Sequence, residues 1–112
     1  MNAKYVQTGD AVDYVPAADV KAGDVVVQGG LVGMAKIDIP AGKLGALAVA
    51  GVFDVSKATG AGTAIPVGTL VYWDEAEKVA KADAESGANK LIGKVVKAAA
   101  DADATVRVRL SQ

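Results

Sequence analysis

The chain contains no cysteine and no histidine among its 112 residues. The first absence removes disulfides, thiolate nucleophiles and thiolate metal sites. The second removes the usual general base near neutral pH and the commonest zinc, copper and iron ligand. Aromatic residues are scarce at 4%, with one Trp and one Phe, so the 52% apolar content is mostly Ala and Val and the core must be built from small, closely packed side chains. Such a core buries little area per residue, which suggests further burial against neighbouring chains. Charge of one sign is also lacking: 12 Lys plus Arg balance 13 Asp plus Glu. There is then no electrostatic reason to bind nucleic acid or an anionic membrane, and neither is expected as a partner. No signal-peptide core precedes Gly9, and the longest weakly polar stretch, Leu44 to Phe53, is about half a membrane span. A soluble chain without an N-terminal secretion signal is expected.

What is present is a repeat. Val20 to Val27 and Ile65 to Tyr72 share an apolar residue, a turn with glycine in the fourth place and an apolar run, and both Val20/Ile65 and Gly23/Gly68 are 45 residues apart. Gly33 and Gly93, each after an apolar pair, extend the likeness at an offset of 60. A duplicated β-unit follows, with one hairpin inserted in the second copy between Asp74 and Asn89.

Strand signals fill the chain between short turns. They predict strands at Lys4 to Gln7, Ala11 to Val15, Val25 to Val27, Leu31 to Ile39, Leu44 to Val55 and Thr105 to Ser111, while Ala64 to Asp74 restarts the repeat. In the last, Val106, Val108 and Leu110 face one way and Thr105, Arg107 and Arg109 the other. The insertion reads two ways. Asp74 to Glu85 is rich in helix formers, yet its apolar stripe is nearly all Ala; a hairpin of Leu70 to Asp74 and Val79 to Asp83 around Glu75 to Lys78 is favoured. The fold expected is all-β, a small antiparallel barrel or sandwich of two related units in one domain over residues 1–112, with 1–10 a flexible or partner-ordered arm.

Candidate sites are few. Gly29 to Gly33 with Asp54 superficially matches a dinucleotide turn, but a strand follows where a helix is needed, so a hairpin turn is expected. Asp101 with Asp103, and Asp74 with Glu75 and Glu77, are the densest acids, at predicted turns and without calcium-loop spacing. Lys36 and Lys43 lack the flanking residues of a biotinyl or lipoyl carrier. No catalytic, cofactor or metal residues are assigned. The candidate protein contacts are Tyr5 and Val6 in the arm, and Tyr72 and Trp73, of which alternation sends one to the core and one outward.

Across nearly the whole chain the residue order resembles the tailed-bacteriophage capsid cement, or head decoration, proteins. The resemblance is carried by Tyr5 to Asp10, Val20 to Ala35, Gly51 to Val55, Val67 to Asp74, Ile92 with Gly93, and Val106 to Leu110. It implies a β-rich, non-enzymatic virion protein, made in the host bacterial cytoplasm. Such a protein adds to the outside of an assembled head as a homo-oligomer, with a trimer favoured, and braces the major capsid protein. It carries no cofactor and transfers no site residue. Two other readings stand beside it. A ligand- or glycan-binding β-module of a phage particle would display Ser56 to Thr63, and a hydrolase would need two acids brought together in a cleft.

Overall fold

The computed structural model describes residues 2–111. Among these residues nine strands form two antiparallel sheets stacked as a sandwich, and the only helical element is a 3-10 turn at Glu85–Gly87. The first sheet contains β1 (Ala11–Tyr14), β2 (Val25–Gln28), β3 (Leu31–Ala35) and β4 (Gly45–Ala48) in the order β1-β4-β3-β2. The second contains β5 (Val52–Ser56), β6 (Leu70–Asp74), β7 (Val79–Lys81), β8 (Lys90–Lys97) and β9 (Thr105–Leu110) in the order β5-β9-β8-β6-β7. The five-stranded sheet curls until Lys57 and Ala80 form one parallel bridge between its two ends. A single bridge brings the edges together without closing a barrel.

The repeat is visible in the hydrogen bonding. Val20 bridges Ile39 in the first unit and Ile65 bridges Ala99 in the second, at offsets of 45 and 60. Gly23 donates its N–H to the Ala35 carbonyl at 2.7 Å and Gly68 to that of Val95 at 2.8 Å; both glycines sit in the left-handed region, with φ of 92° and 85°. That backbone, disfavoured for a residue with a Cβ, is why glycine recurs in the fourth place of the turn. Thus β2 corresponds to β6, β3 to β8 and β4 to β9, while β7 and the 3-10 turn are the insertion. The hairpin reading of Asp74 to Asp83 holds: β6 pairs with β7 around Glu75 to Lys78.

Three strand boundaries differ from the sequence reading. Lys4 to Gln7 forms no strand and lies exposed along the surface. Leu44 to Val55 is two strands in different sheets, because the backbone turns at Gly51, whose φ of 113° an extended strand cannot contain. Leu31 to Ile39 ends at Ala35; Ile37 is exposed, and Ile39 turns back to cover Gly45, where a Cβ would meet the Ile39 side chain at 2.7 Å.

The main core lies between the sheets. Val32, Met34 and Ala48 of the first pack against Val55, Val71, Trp73, Ile92, Val95, Val106, Val108 and Leu110 of the second. Alternation in β9 is as read, with Val106, Val108 and Leu110 buried. A smaller cluster of Val20, Ala35, Ile39 and Leu47, flanked by Val12, Tyr14 and Val26, covers the other face of the four-stranded sheet.

Candidate interaction surfaces

The acidic clusters are used up by local structure. Asp74 is buried and ties the β6–β7 hairpin: its Oδ1 accepts the Glu77 N–H at 3.0 Å and its Oδ2 pairs with Lys81 Nζ at 3.0 Å. Lys81 also pairs with Glu77. The Glu77 N–H, then Lys81, hold the Asp74 carboxyl far below the usual carboxylate range, and Glu77 with Asp74 raise the Lys81 ammonium. Asp101 Oδ1 accepts the Ala64 N–H and Asp103 Oδ2 the Ala100 N–H, each at 2.8 Å. Among the described residues no group of three or more Asp or Glu is arranged to hold a metal ion. Gly29 and Gly30 form the two-residue turn between β2 and β3, with no helix to follow.

Alternation in β6 separates the aromatic pair. Trp73 enters the core at 5% exposure and donates Nε1–H to Glu75 Oε2 at 2.9 Å, while Tyr72 is half-buried on the opposite face, between Lys81 and Leu91 in register. Tyr5 and Val6 are 78% and 83% exposed, and the arm is tethered through local bonds of Tyr5 Oη to Thr8 and Gln7 Nε2 to the Ala11 carbonyl.

The outer face of the five-stranded sheet carries a mixed patch. Val52, Arg109, Lys94 and Leu70 are successive partners across β5, β9, β8 and β6, a row of two cations between two exposed apolar side chains. The next row is Asp54, Arg107 and Lys97. Asp54 receives Arg107 Nε at 2.9 Å and a second guanidinium N–H at 3.2 Å, which lowers its carboxyl and raises the guanidinium. In these two rows four exposed cations therefore share one acid. Sequence reading found each β9 cation as outward-facing but missed the row, because it depends on pairing register between distant strands.

A third feature is an open groove of about 1280 Å3 running between β2, at the edge of the first sheet, and β5, at the edge of the second. Its apolar lining includes Val25, Val27, Phe53 and the edge of Trp73 between the sheets, and it continues over the other face of β2 to Val26, Val20 and Tyr14.

Near β5 a buried polar site has a structural role. Lys57 is buried, and its Nζ donates to the carbonyls of Ala58 at 2.7 Å and Asp103 at 3.0 Å and to Thr63 Oγ1 at 3.2 Å, so one ammonium gathers two loops. Nothing in the local spacing announces it.

Compared with protein-family models, residues 6–110 match the family described as phage cement protein. No curated protein and no solved structure matches the chain.

Proposed function

Since the chain belongs to the phage cement protein family, with a structural role in the phage capsid, we propose that it binds the outer surface of the assembled head and stabilises it without catalysis. The observation that carries this reading is a family match spanning nearly the whole β-sandwich. The acids supply hairpin ties and turn bonds, an organisation suited to a scaffold.

The contact with the major capsid protein is assigned to the outer face of the five-stranded sheet. Tyr72, Val52 and Leu70 supply apolar area there, and Lys94 and Arg109 supply charge that fixes orientation. Trp73 supports this face from beneath, while Tyr5 and Val6 serve contacts between copies. Association as a symmetric oligomer, with a trimer favoured, lets several modest contacts act together and lengthens residence on the head. The protein is accordingly placed on the virion surface after synthesis in the host cytoplasm.

Mixing purified protein with undecorated expanded heads of its own phage tests the reading. Co-sedimentation with the heads, and a higher temperature of head disruption, are expected. Heads that retain no protein would overturn it.

A further inference from the structure

The groove between β2 and β5 is bordered by two unpaired strand edges. β2 pairs only with β3, and β5 pairs with β9 but has no partner over Val52–Ser56 on its other side. The hydrogen bonds fix which backbone groups are free. Gly23 N–H and Ala35 N–H bond across the start of the β2–β3 hairpin, and Gln28 and Leu31 close its two-residue turn. Val26 and Gln28 therefore bond to β3, and Val25 and Val27 direct N–H and C=O away from it. On the other edge, Leu110 N–H to the Gly51 carbonyl and Lys57 N–H to that of Ala104 bracket the β5–β9 ladder. Residues 51, 53, 55 and 57 thus bond to β9, and Val52, Asp54 and Ser56 turn their backbone groups outward. Exposed edges of this kind are templates for a further strand.

The chain also holds a strand without a sheet. Lys4 to Gln7 has the composition of a strand, yet it has no partner, and Tyr5 and Val6 are the most exposed large apolar side chains among the described residues. We infer that the Lys4–Gln7 arm of one copy inserts as an added strand into the β2–β5 groove of a second copy.

Reach decides between exchange and self-insertion. Asp10 is held in place, its carbonyl accepting the Val49 N–H at 2.9 Å, and the arm leaves from β1, the edge of the first sheet opposite β2. To lie beyond β2 it must cross four strand spacings, about 19 Å. The three residues from Asp10 to Gln7 span about 10 Å fully extended. Gln7 of the chain's own arm therefore stops short, and the whole Lys4–Gln7 segment can lie alongside β2 only when it comes from another copy.

Insertion also accounts for the apolar surface on both sides of β2. Adjacent side chains of a strand point to opposite faces, so one of Tyr5 and Val6 covers Val25, Val27 and Phe53 while the other covers Val26. The inference concerns contacts between copies and stands whether or not the protein binds a capsid.

Because the protein has no cysteine, single thiols can be placed cleanly. Chains bearing Val6→Cys and Ser56→Cys are prepared separately, mixed, unfolded, refolded together and mildly oxidised. A disulfide-linked pair of unlike chains is expected, well in excess of like pairs and of a Lys94→Cys control. In parallel, the protein begun at Gly9 behind an initiator Met should keep its far-ultraviolet spectrum and shift from oligomer to monomer mass by light scattering. A monomeric full-length protein, an oligomer unaffected by the truncation, no unlike-chain disulfide, or a disulfide formed only within a doubly substituted chain would each overturn the inference.

Discussion

Gly33 and Gly93 hold equivalent places in the two units but leave different room for a methyl group. A Cβ at Gly33 would lie 2.8 Å from Leu47 Cβ, an atom fixed to its backbone, so that β3 and β4 would have to part by a few tenths of an ångström, whereas one at Gly93 would lie 1.9 Å from the Arg109 carbonyl oxygen, a far deeper overlap with the backbone of the neighbouring strand. Gly93→Ala should therefore cost about 3 kcal/mol or more and Gly33→Ala about 1 to 2 kcal/mol, compared by urea denaturation. Trp73→Ala should cost roughly 3 to 5 kcal/mol by the same measurement, since it empties the centre of the core. At this scale the sequence was legible where a rule is local: alternation placed Val106, Val108 and Leu110 inside, and separated Tyr72 from Trp73. Glu75 as the partner of the indole, and Lys57 as a buried ammonium, were not, because each depends on where loops fold back.

The β6–β7 hairpin shows how an element is held by one carboxylate. Asp74 has a folded pKa below its ordinary 3.8, so the unfolded chain binds its proton first as pH falls. The stabilisation is fully present above about pH 5, declines below about pH 4 and is lost as pH passes through the depressed folded value. Thermal melting followed between pH 7 and pH 3 should therefore show an acid-dependent fall that Asp74→Asn reduces, starting from a less stable protein at pH 7. Lys78 ends the same turn in the left-handed region at φ 58°, and Lys78→Gly should raise stability by up to about 1 kcal/mol. A second element-level lesson lies at Gly51. Unbroken apolar alternation from Leu47 to Val55 read as one strand, but strand periodicity cannot reveal that a chain passes from one sheet to the other. The glycine within the run was the available signal.

For the whole molecule, the repeat at offsets 45 and 60 was the most informative sequence feature, since it anticipated two related units and an inserted hairpin. It could not show how the units meet. Their shared core predicts a single cooperative calorimetric transition with an enthalpy of about 70 to 80 kcal/mol, measured on the chain begun at Gly9 to isolate unfolding from assembly. The cationic row across the outer face predicts that head binding weakens as salt rises, and that Lys94→Glu with Arg109→Glu weakens it at least tenfold at low salt in a co-sedimentation titration. Lys57 has a separate, practical consequence. It alone among the lysines of the described residues is buried, with its nitrogen committed to three oxygen acceptors. An acylating reagent that modifies the other amines should spare it, so its slow acquisition of label, read by peptide mass spectrometry, would time the fluctuations that part the 58–63 and 101–104 loops.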